Sequence, residues 1–333
     1  VGTSSTAAAI KITMGPGRVG GWLRRLAEPA GASVTDDPAE ADALIWTDTH
    51  DVDGLRAALA TGPGIRWVQL PSAGVEETVA AGAMAGNGTG AGRVWTAAKG
   101  VYGEPVAEHA LALLLAGLRQ LDERVGASTW GERSGRTLFD SRVTIVGAGG
   151  IAEALTRLLA PFRVQVTLVG REGREASGTS EGNEASGASG AMSATPILGR
   201  DRLHEALADA DAVVLALALT PATAGIIAEP ELRAMKDDAW LVNVARGRHI
   251  VTADLLTALH EGWIGGAALD VTDPEPLPDD HPLWRAPHCI ITPHSACPHS
   301  LAVPRLGARI AENIRRFVAG EELLGIVDLT HGY

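Results

Sequence analysis

The chain has 333 residues, more than one small core normally uses, so two domains of ordinary size with a cleft between them are expected. With 40 acidic against 28 basic residues the formal charge is -12, which excludes the footprint of a nucleic-acid binder or a polybasic membrane surface and leaves small-molecule work. The two cysteines, Cys289 and Cys297, are too few and too close in sequence to staple a domain, as in a protein of a reducing compartment.

The first apolar stretch is broken by Lys11 and has no basic start or cleavage site, so no targeting segment is read and the cytoplasm is the expected location. From Ala8 to Leu70, apolar runs at Ala8–Met14, Ala43–Thr47 and Ile65–Leu70 alternate with helical spacing at Val19–Ala27 and Asp53–Ala60. Alternation of this kind predicts a parallel sheet. A Gly/Ala-rich stretch from Gly82 to Gly92 precedes a short strand at Arg93–Ala97, and the first domain boundary falls near Gly100.

Glu104–Leu121 reads as one long helix with Pro105 in its first turn. Its apolar run, Ala110 to Leu118, is far short of the roughly 20 residues that span a bilayer. Being apolar on nearly every face, this helix is expected to be buried on several sides, either inside one domain or against a second subunit. Glu108 and His109 on it carry no assignment.

The strand Arg142–Gly147 runs into Gly-Ala-Gly-Gly-Ile-Ala, followed by helical spacing at Ile151–Leu159 and a strand at Val164–Val169: a βαβ unit. Glu175 to Ser193 is Gly, Ser, Ala and Glu without apolar periodicity and is expected to be a floppy surface insertion. The alternation resumes with helices at Leu203–Ala208, Glu229–Met235 and Ala253–Glu261 and strands at Ala212–Leu217, Trp240–Asn243 and Gly266–Asp270. Ala302–Gly320 closes the pattern as an amphipathic helix with a charged, solvated face.

A glycine-rich turn alone is weak evidence, but Gly147, Ala148, Gly149, Gly150 and Ile151 follow a strand and open a helix, where backbone N–H groups can face a pyrophosphate. After the next strand comes Gly170-Arg171-Glu172-Gly173-Arg174. Arg171 and Arg174 suit the extra phosphate of NADP, Glu172 suits the ribose hydroxyls of NAD, and the balance favours NADP(H) over NAD(H). Downstream lie Arg246 in Asn-Val-Ala-Arg-Gly, Glu275 among prolines, and His294 after Pro293. A cation, a carboxylate and an imidazole are what hydride transfer to a 2-oxo acid needs beside a nicotinamide cofactor. His288, Cys289, His294, Cys297 and His299 match no paired-ligand spacing, so no metal site is expected.

Taken together these phrases resemble the D-isomer-specific 2-hydroxyacid dehydrogenases, the family of glyoxylate/hydroxypyruvate reductases and phosphoglycerate dehydrogenase. The likeness covers nearly the whole chain: Ser72-Ala73-Gly74-Val75, Val106 to Ala112, the turn at Gly147, Asn243 to Gly247, Asp270-Val271, Glu275-Pro276-Leu277 and Thr292-Pro293-His294. It implies two α/β domains with parallel sheets, Rossmann-like and flavodoxin-like. A cofactor domain at 101–295 is inserted into a discontinuous substrate domain at 1–100 and 296–333. By the resemblance, Arg246 binds the substrate carboxylate and carbonyl oxygen, His294 donates the proton and Glu275 partners His294. Backbone N–H groups around Ser72, Ala73 and Gly74 hold the substrate carboxylate, while Thr220 and Asp270 contact the cofactor.

The implied partners are a small 2-oxo or 2-hydroxy acid and a second copy in a homodimer. Trp46, Trp67 and the Ser72 loop are candidates to line the cleft. Ala152 stands for the third glycine, and Ala218 for a proline frequent before the Leu-Thr pair. The regulatory domain of some phosphoglycerate dehydrogenases is not expected. Two other classes are weighed: a nicotinamide-sensing, corepressor-like binding protein, which turnover would separate, and a methyltransferase, which leaves Arg246, Glu275 and His294 unexplained.

Overall fold

Apolar runs separated by helical spacings produce a parallel sheet in each of two units, Val1–Val101 with His299–Tyr333 and Tyr102–Pro298. The computed structural model describes residues 9–18, 20–84, 92–175 and 195–329. The stretch expected to be a floppy insertion therefore lies, from residue 176 on, outside the described residues.

In the first unit, β1 (Lys11–Gly15), α1 (Gly21–Ala27), β2 (Ser33–Val34), β3 (Ala43–Trp46), α2 (Val52–Thr61), β4 (Trp67–Gln69), α3 (Glu76–Ala80) and β5 (Val94–Thr96) follow in order. The strands align as β2-β1-β3-β4-β5, every pairing parallel, which is the flavodoxin-like order. Strand β3, Ala-Leu-Ile-Trp, is buried along its whole length, as a central parallel strand must be. Here the structure corrects one expectation. Trp46 and Trp67 are 3% and 0% exposed, so they fill the core of this unit rather than line a cleft. The Trp67 indole N–H donates to Thr96 Oγ1 at 2.8 Å, and its ring lies 5.2 Å from that of Phe317. The two-residue β2 was missed because it is too short to show a period.

The second unit begins with α4 (Gly103–Leu118), which ends three residues before the expected Leu121: Gln120 adopts a left-handed φ of 50° and a separate turn, α5 (Leu121–Val125), follows. Then come β6 (Arg142–Val146), α6 (Gly150–Leu159), β7 (Gln165–Val169), β8 (Ile197–Leu198), α7 (Leu203–Ala208), β9 (Ala212–Leu215), α8 (Glu229–Ala234), β10 (Trp240–Asn243), α9 (Thr252–Glu261), β11 (Gly266–Leu269) and β12 (Cys289–Ile291). Their order is β12-β11-β10-β9-β6-β7-β8, again wholly parallel. From β8 this is the Rossmann order with one strand added, and its direction of winding reverses between β6 and β9. β12 was not read from the sequence, since its three residues are only partly buried and sit at an edge. The two faces of the sheet carry separate apolar clusters, one including α4 and α6, the other α7, α8 and α9. No described helix is long and apolar enough to cross a membrane.

The last helix, α10 (His299–Ala319), returns to the first unit and begins three residues earlier than its spacing predicts. A buried polar network fixes it there. Asn313, 0% exposed, donates to Gln69 Oε1 at 2.9 Å and to the Leu324 carbonyl at 3.0 Å, and accepts from the Leu324 N–H at 2.8 Å. Gln69 Oε1 also accepts from Thr96 Oγ1 at 2.9 Å. Asn313→Leu keeps volume but strands these groups away from water, and should lower unfolding stability in urea by about 2 kcal/mol. An unchanged midpoint would refute the network's role.

Candidate active site

Strand β6 ends in Gly147, whose φ is +127° and whose Cβ, if it had one, would overlap the carbonyl of Ala216 after β9. Only glycine permits this crossing at the point where winding reverses. Gly149 then caps α6 without any side-chain bond, and a Cβ built there meets nothing within 4 Å. The first-turn N–H groups, at Gly150, Ile151 and Ala152, have no acceptor within their own helix. Uncapped donors under open space fit a dinucleotide pyrophosphate. Ala152 is 0% exposed in the core, so its methyl is absorbed by packing away from the turn. Gly103 of α4 braces the same turn, since a Cβ there would lie 2.9 Å from the Gly150 carbonyl oxygen.

Across the reversal, after β9, lies the loop with Thr220. Its N–H donates to Thr223 Oγ1 at 2.8 Å, and that hydroxyl donates to the Ala218 carbonyl at 2.8 Å. Buried His249 spans the loop, with Nδ1 2.9 Å from the Thr223 carbonyl and Nε2 3.2 Å from that of Leu217. Sequence reading missed His249, whose partners lie 26 and 32 residues away. After β7, Arg171 and Arg174 are exposed. Arg171 Nε stands 3.8 Å from Glu172 Oε1, and the main chain of Arg174 bridges Ile197.

Arg246 follows β10, and the Asn-Val-Ala-Arg-Gly phrase has a mechanical explanation. Fully buried Asn243 folds the turn onto itself, donating to the Arg246 carbonyl at 2.9 Å and accepting from the Ala245 N–H at 3.0 Å. Gly247 is required because a Cβ would overlap the Thr272 carbonyl, which brings the turn against the segment leading to Glu275. The Arg246 charge acts on both Glu275 and His294.

His294 follows β12 and sits opposite Glu275, Nδ1 to Oε1 at 2.6 Å, with side chains 52% and 39% exposed. The hydrogen bond to Glu275 raises the imidazole pKa above its ordinary value and lowers that of the carboxyl, although partial burial opposes both shifts. With Nδ1 engaged, Nε2 is the nitrogen left to serve a substrate. Asp270, 2% exposed, accepts at Oδ1 from Thr292 Oγ1 (2.6 Å) and the Ser295 N–H (2.8 Å), and at Oδ2 from the Ala296 N–H (3.1 Å). Burial pushes its carboxyl pKa up, yet these donors together with His109 bring it down to about 2.

Adjacent strands β10, β11 and β12 thus deliver Arg246, Glu275 and His294 from three neighbouring carboxyl-end loops. In the first unit, Ser72, Ala73 and Gly74 form a turn after β4, where the Ser72 hydroxyl donates to the Gly74 carbonyl at 2.5 Å and Ala73 is exposed. Among the described residues no group of His, Cys, Asp or Glu could hold a metal ion. Burial pushes the Cys289 thiol up to about 12.

The model of the D-isomer specific 2-hydroxyacid dehydrogenase NAD binding domain matches residues 109–296. An uncharacterized protein of the proB 3′ region of Corynebacterium melassecola is 38% identical over 275 residues, 81% of this chain and 84% of its own length. Glyoxylate/hydroxypyruvate reductase A of Photorhabdus laumondii is 29% identical over 87% of each chain. The D-isomer specific 2-hydroxyacid dehydrogenase of Xanthobacter autotrophicus Py2, solved with NADPH and MES, superposes with a TM-score of 0.77 at 25% identity, over 98% of this chain and 100% of that one. The chain belongs to the D-isomer-specific 2-hydroxyacid dehydrogenases. It is an NAD(P)-dependent oxidoreductase acting in the chemistry of 2-hydroxy and 2-oxo acids.

The pH dependence follows from the imidazole. His294 pKa is raised, so its protonated form persists above the usual imidazole range and is lost as pH rises through the folded value. In Glu275→Gln the neutral amide removes the main cause of that shift, and the high-pH limb of the 2-oxo acid reduction profile should move to lower pH. A limb at the wild-type position would show that Glu275 does not set it.

Proposed function

We propose that this enzyme reduces a small 2-oxo acid of the glyoxylate/hydroxypyruvate type to the D-2-hydroxy acid, using NADPH in preference to NADH. The observation that carries the reading is the 2.6 Å hydrogen bond that His294 Nδ1–H donates to Glu275 Oε1, which orients a protonated imidazole with Nε2 toward substrate. The reduced nicotinamide, when bound, supplies hydride to the carbonyl carbon. His294 Nε2 gives its proton to the carbonyl oxygen, leaving a neutral imidazole that Glu275 keeps in place. Arg246 takes the substrate carboxylate and the carbonyl oxygen through its forked guanidinium. The main-chain N–H groups around Ser72, Ala73 and Gly74 are further carboxylate donors.

On the cofactor side, Gly147 to Ile151 take the pyrophosphate, and the Thr220 loop lines the other flank of the reversal. Asp270 would take the nicotinamide amide as a further donor to a carboxylate already holding Thr292, Ser295 and Ala296. Arg171 and Arg174, exposed after β7, suit the 2′-phosphate. NADPH in the Xanthobacter enzyme and the reductase name of the Photorhabdus relative support the same choices. A cytoplasmic homodimer is the matching assembly, with Leu111, Ala112 and Leu115 on the incompletely buried side of α4.

Loss of reduced-nicotinamide absorbance, with NADPH and NADH in turn against glyoxylate, hydroxypyruvate, pyruvate and phenylpyruvate, tests the reading. Turnover with glyoxylate or hydroxypyruvate should fall about 10²- to 10⁴-fold in His294→Gln while nucleotide binding persists. Tight nucleotide binding without turnover on any acid would overturn it in favour of a sensor. Arg171→Ala should raise the KM for NADPH about tenfold and leave NADH nearly unaffected. Equal effects on both would remove Arg171 from the phosphate site.

A further inference from the structure

We propose that His109, on α4, is a positioning residue for the catalytic turn: its Nε2–H, shared between Asp270 and Thr292, fastens the segment that carries His294 to the helix. The proposal rests on the reading of His294 as the proton donor.

His294 has a φ of 50°, in the left-handed region that side chains other than glycine rarely adopt. Something must hold it there, and the holder is Asp270. The His294 N–H donates to the Asp270 carbonyl at 2.8 Å and to that of Thr292 at 3.0 Å. The Asp270 carboxylate takes the next two N–H groups and the Thr292 hydroxyl. The turn before and after His294 is thus tied to one buried aspartate.

His109 completes this cluster from a different element. Its Nε2 lies 3.0 Å from Thr292 Oγ1 and 3.2 Å from Asp270 Oδ1. The roles at these atoms are forced. Thr292 has one hydroxyl hydrogen, spent on the carboxylate at 2.6 Å, so toward His109 its oxygen accepts. An ionised carboxylate also only accepts. Nε2 must therefore carry the hydrogen. The ring is mounted on a rigid part of α4, next to Ala107 and Ala110, both 0% exposed, and its side chain is 22% exposed against 1% for Asp270. Without the tether Asp270 keeps its three other donors, but the turn loses its connection to the helix. His294 then drifts from Glu275.

Steady-state kinetics of the purified enzyme, with the nucleotide and 2-oxo acid that give turnover, tests this. His109→Leu should lower kcat about 10- to 100-fold, the scale of a small misplacement of a reacting group, with little change in nucleotide KM. A residue that merely stabilised the fold would leave the pH profile alone. Here the high-pH limb should move down, because Glu275, Arg246 and Asp270 are the charged groups facing His294 and the Glu275 contact is the one lost. His109→Gln, which keeps an amide N–H at similar reach, should recover most of kcat and of the limb. Thr292→Val, which removes one of the two acceptors of that N–H together with a donor to Asp270, serves if His109→Leu does not fold, and should lower kcat and move the limb in the same direction. Wild-type kcat and limb in His109→Leu or Thr292→Val would overturn the inference, as would equal losses in the Leu and Gln variants with the limb unmoved. His294→Gln separates the two failures: if it stays active, the proton-donor reading has failed. If it is inactive while His109→Leu and Thr292→Val behave as wild type, only this inference has.

Discussion

Asp270 stands at the carboxyl end of β11 with its carboxylate out of water, accepting from Thr292, Ser295 and Ala296 while its own carbonyl takes the N–H of His294. Burial by itself would push that carboxyl toward its neutral form, and a neutral acid would have to give up acceptor positions to carry its proton. The donors outweigh burial and hold the pKa at about 2. Because the charge is maintained, the donors stay directed at it, and because they belong to the residues flanking His294, the imidazole is held in a backbone conformation it would not choose. The exposed imidazole is thereby placed by a carboxylate that does not depend on solvent.

Glu275 and His294 are a pair of the opposite kind. Both are substantially exposed, and each shifts the other: the carboxylate raises the imidazole, the imidazole lowers the carboxyl. A buried pair of this sort would hold its proton too firmly to give it up, while a pair fully in water would lose its mutual orientation to screening and side-chain freedom. Partial exposure with a fixed 2.6 Å contact keeps the imidazole, its pKa raised by the carboxylate, aimed in one direction. Arg246 opposes the imidazolium electrostatically and so limits how far its pKa rises.

The fold class was legible because its signals are local. Apolar runs between helical spacings announced parallel strands, and the β6 turn announced the dinucleotide domain through glycines whose φ and crowding the structure explains. Arg246, Glu275 and His294 were legible as residue types in short phrases, but their convergence was supplied by the family likeness, since 19 residues separate Glu275 from His294 and nothing in that spacing fixes a distance. Trp46 and Trp67 were misread because an aromatic residue in a strand looks the same whether it faces a cleft or the core. His109 lay in a phrase of the family likeness without an assignment, and His249 gave no signal. Their partners lie 183 and up to 32 residues away, and a histidine on an apolar helix or in a loop carries no mark of what it will meet.

The order of strands explains why these pieces lie along one edge. Along the carboxyl edge of the second sheet run β7 with Arg171, β6 with Gly147, β9 with Thr220, β10 with Arg246, β11 with Asp270 and Glu275, and β12 with His294. Neighbouring strands are about 4.8 Å apart, so three spacings, or about 14 Å, separate the glycine turn from the aspartate that anchors the catalytic turn. An NAD(P) cofactor, whose adenosine, pyrophosphate and nicotinamide follow one another in line, suits such an edge. Chain order scatters the same residues differently, because the strand that follows β7 and β8 returns to the far side of β6. Winding outward from β6 in both directions is what puts Arg171 on one flank of the glycine turn and Thr220, Arg246, Asp270, Glu275 and His294 on the other.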